Sequence, residues 1–151
     1  MQNTTVSKFR VALYGVVVEH GKVLMTETKG PRGSSVMNFP GGGLELGESP
    51  TEALEREFRE ETSMSVRFGE VLFCSKAFQQ NPDFPTEQLM HIYYRVYRVG
   101  GEVSGAGNGD DVLKVVWASP EDLSTFRIMP ADQELIADSA FQSLFHRPSQ
   151  D

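Results

Sequence analysis

Apolar positions along the chain recur at two spacings, one suited to strands and one to helices. Residues 11–18 form a nearly continuous β-branched and apolar run, which predicts a buried strand. His20-Gly21-Lys22 predicts a turn, and residues 23–28 a second strand paired with the first. Residues 30–35 read as a loop and residues 36–39 as a short strand, leading into Pro40-Gly41-Gly42-Gly43, where side-chain bulk almost vanishes. Further strands are expected at residues 66–77, 89–99 and 111–118, with a turn around Gly100-Gly101. The clearest helix spans residues 49–62. Ser49 is placed to cap it, Pro50 suits its first position, and Glu52 completes a capping box. Ser119-Pro120-Glu121-Asp122 repeats that opening for a short helix through Leu123. A C-terminal helix is expected over residues 131–145, carrying Leu135, Ile136, Leu144 and Phe145. Strands and helices in this order predict an α/β layered domain with a mixed sheet.

The chain has 151 residues, which predicts a single domain over residues 1–151, with residues 1–8 and 147–151 as loose tails. No apolar stretch approaches the roughly 20 residues that span a bilayer, and the N-terminus has no apolar core of a secretory signal. A net charge of −7 gives no general attraction for a nucleic-acid backbone, so no nucleic-acid or membrane partner is expected. An anionic substrate would have to be neutralised locally. The single cysteine, Cys74, can form no internal disulfide and reads as a buried small residue in a strand; a cytoplasmic protein is expected. The histidines His20, His91 and His146 have no ligand spacing, and His91 reads as a hydrogen-bonded structural residue.

Chemistry concentrates in Arg56-Glu57-Phe58-Arg59-Glu60-Glu61. On a helix, Glu57, Glu60 and Glu61 occupy positions i, i+3 and i+4 and fall within an arc of about 100°. Like charges so spaced repel, and partial burial worsens the repulsion unless a cation lies between them. Oxygen-only ligands suit a hard divalent ion, Mg²⁺ or Mn²⁺; the alternative is a solvated acidic helix face. Gly41 to Gly43 let backbone approach a ligand, and a loop carbonyl there can join the carboxylates. Glu48 and Arg56 can bridge loop and helix.

The segment from Gly42 to Met64 resembles the signature of the Nudix hydrolases, G-x5-E-x7-R-E-U-x-E-E-x-G-U, where U is a bulky aliphatic residue. Gly42, Glu48, Arg56, Glu57, Glu60 and Glu61 all stand at the required spacing across 23 residues. Phe58 replaces the aliphatic residue. Ser63 replaces the glycine that would end the helix in a left-handed conformation, at a cost of roughly 1 kcal/mol for a residue with a Cβ. Asn38-Phe39-Pro40-Gly41-Gly42 resembles the family's entry to the motif. Gly109-Asp110-Asp111-Val112 resembles the segment where many members carry another acid, and Asp111 is favoured over Asp110.

The resemblance implies an α/β/α sandwich and a Mg²⁺-dependent pyrophosphohydrolase, with Mn²⁺ a substitute. The substrate would be a nucleoside diphosphate linked to another group, ADP-ribose or a sugar nucleotide first, cut into a nucleoside monophosphate and a phosphorylated moiety. It implies that Glu57, Glu60, Glu61 and the Gly41 carbonyl hold metal, and that Glu60, Glu61 or Asp111 takes a proton from water. Arg56 and Glu48 orient helix and loop beside Gly42. Alternatives are a nucleoside triphosphate pyrophosphatase of the same family and a non-catalytic nucleotide-binding module. Arg10, Lys29, Arg32 and Lys76 are candidates to meet phosphates, and Phe9, Phe39, Phe78 and Tyr93 to stack on a base. The loop of Pro82 and Pro85 is a candidate gate, and an exposed edge or the N-terminal strand could pair two copies as a homodimer.

Overall fold

The computed structural model describes residues 5–30, 33–103 and 105–146. Arg32 and most of both expected tails (residues 1–4 and 147–151) lie outside them. The elements are β1 (Lys8–Val16), β2 (Val18–Glu19), β3 (Lys22–Lys29), β4 (Ser35–Asn38), β5 (Gly41–Gly43), α1 (Pro50–Thr62), β6 (Ser65–Cys74) and β7 (Gln79–Gln80). They continue with β8 (Glu87–Gly100), β9 (Val112–Ala118), α2 (Pro120–Leu123), α3 (Pro130–Ala137), α4 (Ser139–Gln142) and a 3₁₀ turn at Ser143–Phe145.

Two sheets form the middle of an α/β/α arrangement. The first is mixed, in the order β5-β1-β8-β6 with β7 added along β8; β1 and β8 are parallel and the other pairs antiparallel. The second is antiparallel, with β3 flanked by β2, β4 and β9. Alternation along the strands sends side chains to opposite faces. Leu13, Leu24, Val96 and Val115 pack with Ala53, Leu54 and Phe58 of α1. Val16, Met25, Phe39, Phe73 and Tyr93 pack with Leu135, Phe141 and Leu144 on the other side. Among the described residues no helix is long and apolar enough to cross a membrane.

The expected elements are present, with five corrections. First, the N-terminal strand begins at Lys8, held in register with Glu87, so the loose tail is shorter than expected. Second, the apolar run over residues 11–18 is not one strand. The chain leaves the first sheet after Val16 and enters the second at Val18, so β3 pairs with β2 and not with β1. His20 and Gly21, both at positive φ (51° and 74°), make the two-residue turn between them. Third, β7 arises where the Gln79–Gln80 backbone docks on β8, a pairing with no local sequence signal. Fourth, the C-terminal helix is broken at Asp138. Its backbone is extended (φ −79°, ψ 144°) and its carboxylate accepts from Ala140 N–H at 2.9 Å, so the side chain starts a new helix and does not continue the old one. Fifth, Cys74 is exposed; register shifts along β6 turn Phe73 into the core and Cys74 out of it.

Helix α1 is specified at both ends. Ser49 Oγ accepts from Glu52 N–H at 3.2 Å and Ser49 N–H donates to Glu52 Oε2 at 3.3 Å, closing the capping box. At the other end Ser63 adopts the left-handed conformation (φ 62°, ψ 19°), its N–H donating to the Arg59 carbonyl. A polar chain is buried beneath the first sheet. The Tyr93 hydroxyl donates to Asp132 Oδ1 at 2.5 Å and lies 3.3 Å from His91 Nδ1. Burial pushes Asp132 from 3.8 up to about 7, with Tyr93 pulling the other way. Burial pushes His91 from 6.5 down to about 4, opposed by the charge of Glu134.

Two outcomes are expected. Ser63→Gly relieves the left-handed strain and should stabilise the protein by up to about 1 kcal/mol, a rise of roughly 2–4 °C in Tm by thermal denaturation. For the buried pair, folded Asp132 keeps a proton that the unfolded chain has lost between pH 3.8 and about 7, so its contribution falls as pH rises through that window. Folded His91 lacks a proton that the unfolded chain holds between about 4 and 6.5, so its contribution rises with pH there. The two oppose each other. Asp132→Asn should therefore gain stability on going from pH 4 to 6.5, and His91→Gln should lose it, each relative to wild type in urea titrations; parallel profiles for all three would refute the assignment.

Candidate active site

Burying Ala53, Leu54 and Phe58 fixes the roll of α1 and points its carboxylate flank at β5. The three acids then fare differently. Glu61 is 8% exposed, the Glu57 side chain 17%, and the Glu60 side chain 56%. Glu61 Oε2 accepts from the Gly41 N–H at 3.1 Å, and the Glu57 and Glu61 carboxyls lie within hydrogen-bonding reach of each other. Burial first, and then the Glu57 charge, push Glu61 up to about 9, while the Gly41 N–H acts in the opposite sense. Burial also raises Glu57, against the pull of Arg56. Asp111 is exposed, its Oδ1 accepting from Asn108 Nδ2 at 2.8 Å; its negative charge adds to the rise at Glu61. Asp110 is also exposed, with its N–H donating to Asn108 Oδ1.

Arg56 ties the loop to the helix. Its Nε and Nη2 donate to the two oxygens of Glu48 at 2.9 and 3.1 Å, a bidentate pair. Its Nη1 reaches Glu57 at 3.2 Å and Glu60 at 3.4 Å. The hydrogen bonds from Arg56 hold Glu48 below the usual carboxylate range, and those to Glu48 raise Arg56 in turn.

The glycines are there for room. Gly41 has φ 148°, and a Cβ on it would lie 2.8 Å from Tyr14 Cα; one on Gly42 would lie 2.8 Å from Glu57 Oε1. Beside them opens a cavity of about 230 Å³ whose wall includes Arg10, Tyr14, Gly42, Gly43, His91 and Asp132. Gln79, Gln80, Asn81 and Pro82 form another part of its wall, so the first half of the suspected gate borders the cavity and Pro85 does not.

The structure thus gathers Glu48, Arg56, Glu57, Glu61, Gly41 and Gly42, with Arg10 lying over Gly43. Glu60 is attached to the group through Arg56. Among the described residues no three His, Cys, Asp or Glu side chains converge on one point as they stand. The donor set fits a hard divalent cation at Glu57 and Glu61, two buried acids whose mutual repulsion such an ion would relieve. Toward Glu61, Gly41 presents its N–H in the structure as it stands.

Other expectations need correction. Phe39 is 1% exposed, edge-on to Tyr93 and Phe141, so it has no face left for a base. Tyr93 is likewise core, and contributes its hydroxyl and not its ring face. Lys29 is exposed at the end of β3 and Phe78 is exposed beside Gln79; neither borders the cavity. Lys76 is exposed, with Nζ 5.4 Å from the Phe73 ring centre. Tyr14 and Asp132 border the cavity and were not singled out by sequence; Asn38, named only as part of the entry to the motif, borders it too. An acid in the first turn of a helix such as α3 looks like an ordinary dipole-matching residue, so Asp132 gave no distinguishing signal.

Comparison with known proteins agrees with this geometry. The NUDIX domain model matches residues 7–139. The 8-oxo-dGTP diphosphatase of Haemophilus influenzae is 28% identical over 119 residues, covering 78% of this chain and 81% of that protein. The ADP-sugar pyrophosphatase of Mus musculus is 42% identical over 126 residues, covering 78% of this chain; the match spans only about half (54%) of the mouse protein. The solution structure of the E. coli ORF135 protein superposes with a TM-score of 0.70 at 25% identity, covering 95% of this chain and 96% of that one. The chain belongs to the NUDIX domain family, whose members hydrolyse phosphoanhydride bonds.

Proposed function

We propose that this chain is a divalent-cation-dependent pyrophosphohydrolase that cuts a nucleoside diphosphate linked to another group into a nucleoside monophosphate and a phosphorylated moiety. The observation that carries this reading is the pair of buried carboxylates, Glu57 and Glu61, lying against the glycine strand that borders the cavity. Glu57 and Glu61 would hold Mg²⁺ or Mn²⁺, with Glu60 joining them by leaving Arg56 and the Gly41 carbonyl as a further ligand. The bound ion supplies neutralisation of the diphosphate and lowers the pKa of water. Arg10, beside Gly43, meets the remaining phosphate charge. Arg56 and Glu48 keep loop and helix in register, so the acids stay fixed relative to the cavity. Glu60, Glu61 or Asp111 accepts the proton of the attacking water.

An ADP-ribose or sugar-nucleotide substrate is favoured by the identity to the mouse ADP-sugar pyrophosphatase. A nucleoside triphosphate is the second reading, favoured because the 8-oxo-dGTP diphosphatase is matched over more of its length. A non-catalytic module would be expected to lose a motif acid, and this chain keeps them all. We place the protein in the cytoplasm, as a single domain able to form a homodimer.

A panel of ADP-ribose, sugar nucleotides, dinucleoside polyphosphates and nucleoside triphosphates with Mg²⁺, read by product analysis in ¹⁸O water, tests the reaction. Turnover of at least one class, abolished by chelation and restored by Mg²⁺ or Mn²⁺, is expected; silence across the panel rejects it. Glu57→Gln and Glu61→Gln should each lower kcat by roughly 10²–10⁴. The same loss in Glu60→Gln or Asp111→Asn, without weakened Mn²⁺ binding by electron paramagnetic resonance, would identify the base. Gly42→Ala crowds Glu57 and should cost more than about tenfold in kcat with Tm nearly unchanged.

A further inference from the structure

Two donors in the cavity wall have no partner. Among the described residues the Arg10 guanidinium and the Tyr14 hydroxyl make no hydrogen bond or ion pair, and both residues border the cavity. They stand four positions apart on one face of β1, so their backbones are about 13 Å from each other. The side chains close much of that gap. Ala12, midway between them, pairs with Gly43 on one side and His91 on the other. The Arg10 guanidinium lies over Gly43, where a Cβ would collide with it. The Tyr14 ring lies against His91 with ring centres 5.1 Å apart, nearer than the 5.5 Å to its own register partner Tyr93. Cation and hydroxyl thus flank the space above Ala12 from opposite sides.

The floor of that space is small, because Ala12 contributes one methyl group and Gly43 no side chain. Its two flanks only donate. Burial first, and then the charges of Asp132 and Glu61, hold the Tyr14 hydroxyl above its ordinary value against the pull of Arg10, so it keeps its proton. The guanidinium has donors and no acceptor. Contacts with Tyr93 and His91 restrain the Tyr14 ring, so little freedom is lost when its hydroxyl bonds a ligand. A tetrahedral anion with several acceptor oxygens suits such a pair; a neutral sugar or base would leave the guanidinium unmatched.

We propose that Arg10 and Tyr14 form a two-donor seat over Ala12 for one phosphate of the substrate, the guanidinium and the hydroxyl each donating to a non-bridging oxygen. This rests on the reading that the substrate carries a diphosphate, and it adds Tyr14 to the residues that touch it. Glu57 and Glu61 do not border the cavity, so the seat is separate from the place a cation would take. An ion there neutralises one part of the diphosphate while β1 fixes another, and a group held at two points has less freedom to leave the reactive geometry. Arg10 supplies the charge; the uncharged hydroxyl supplies direction. Phenylalanine at position 14 would keep the ring contacts and lose only the bond.

Titration of the full chain in EDTA with AMP, ribose 5-phosphate and inorganic phosphate, followed by ¹H–¹⁵N chemical shifts, tests this without metal or turnover; adenosine and ribose are the phosphate-free controls. The three phosphates should shift the amides of Ala12 and Gly43, and the controls should not. Tyr14→Phe and Arg10→Gln should each weaken AMP about tenfold or more while leaving adenosine unchanged. Silent Ala12 and Gly43 amides at millimolar phosphate, equal shifts with the controls, or unchanged AMP affinity in Tyr14→Phe would each overturn the proposal. So would inorganic phosphate binding tighter than AMP, which would make this a site for the free ion. Should Tyr14→Phe not fold, the wild-type shifts decide alone. Phosphate-dependent shifts in a protein that hydrolyses nothing in the substrate panel would reject the proposed reaction and leave the seat standing; turnover with silent Ala12 and Gly43 would do the reverse.

Discussion

Repulsion between Glu57 and Glu61 is the constraint around which the site is organised. Two acids one helical turn apart, both withdrawn from water, oppose each other's ionisation, and burial outweighs the single N–H that Gly41 offers Glu61. An isolated acidic helix would let both side chains swing into solvent. Here they cannot, because Leu54 and Phe58 on the adjoining stripe are fully buried and fix the roll of the helix. Core packing thus holds an electrostatic arrangement that the metal-free side chains would not choose, and the strain is local to the place where a cation would relieve it.

The rest of the neighbourhood keeps that arrangement in register. Gly41–Gly43 is a strand and not a slack loop, pinned to Tyr14, Leu13 and Ala12 of β1, so the Gly41 N–H has a fixed address. Arg56 grips Glu48 with two parallel hydrogen bonds and spends its remaining nitrogen on Glu57 and Glu60, a geometry a lysine could not reproduce. Glu60 differs from its two neighbours because nothing buries it. It rests on Arg56 at 3.4 Å, free to turn, and this explains why the three acids do not converge although their spacing puts them on one arc.

Sequence reached those parts of the molecule whose cause is local. The capping box at Ser49 and Glu52, the carboxylate arc and the Glu48–Arg56 bridge each depend on residues within one helix and its lead-in, and all are present. What it missed depends on chain segments far apart. The break of the apolar run at Val17 is decided by two sheets competing for one strand. The fracture of the C-terminal helix turns on whether Asp138 caps or continues, a choice that apolar periodicity does not record. Phe39 looked like a base platform by its nearness to the glycines, but it is consumed by Tyr93 and Phe141, one of them 102 residues further along the chain (141 − 39). Asp132 was invisible for the same reason: its partner Tyr93 is 39 residues away.

That division has a chemical meaning. On the proposed reading, a contiguous segment, Gly42 to Glu61, addresses the bond to be broken. On the same reading, side chains from β1, β7, β8 and α3, assembled only when the fold closes, address the group attached to the diphosphate. Relatives that share the first can therefore differ in the second, as the names of an ADP-sugar pyrophosphatase and an 8-oxo-dGTP diphosphatase, both similar to this chain, illustrate. Substitutions around the cavity are expected to alter which attached group fits without touching Glu57 or Glu61, neither of which borders it. Asp132 lies in the cavity wall, buried and restrained by Tyr93, on α3 and not on the helix that carries the carboxylate pair.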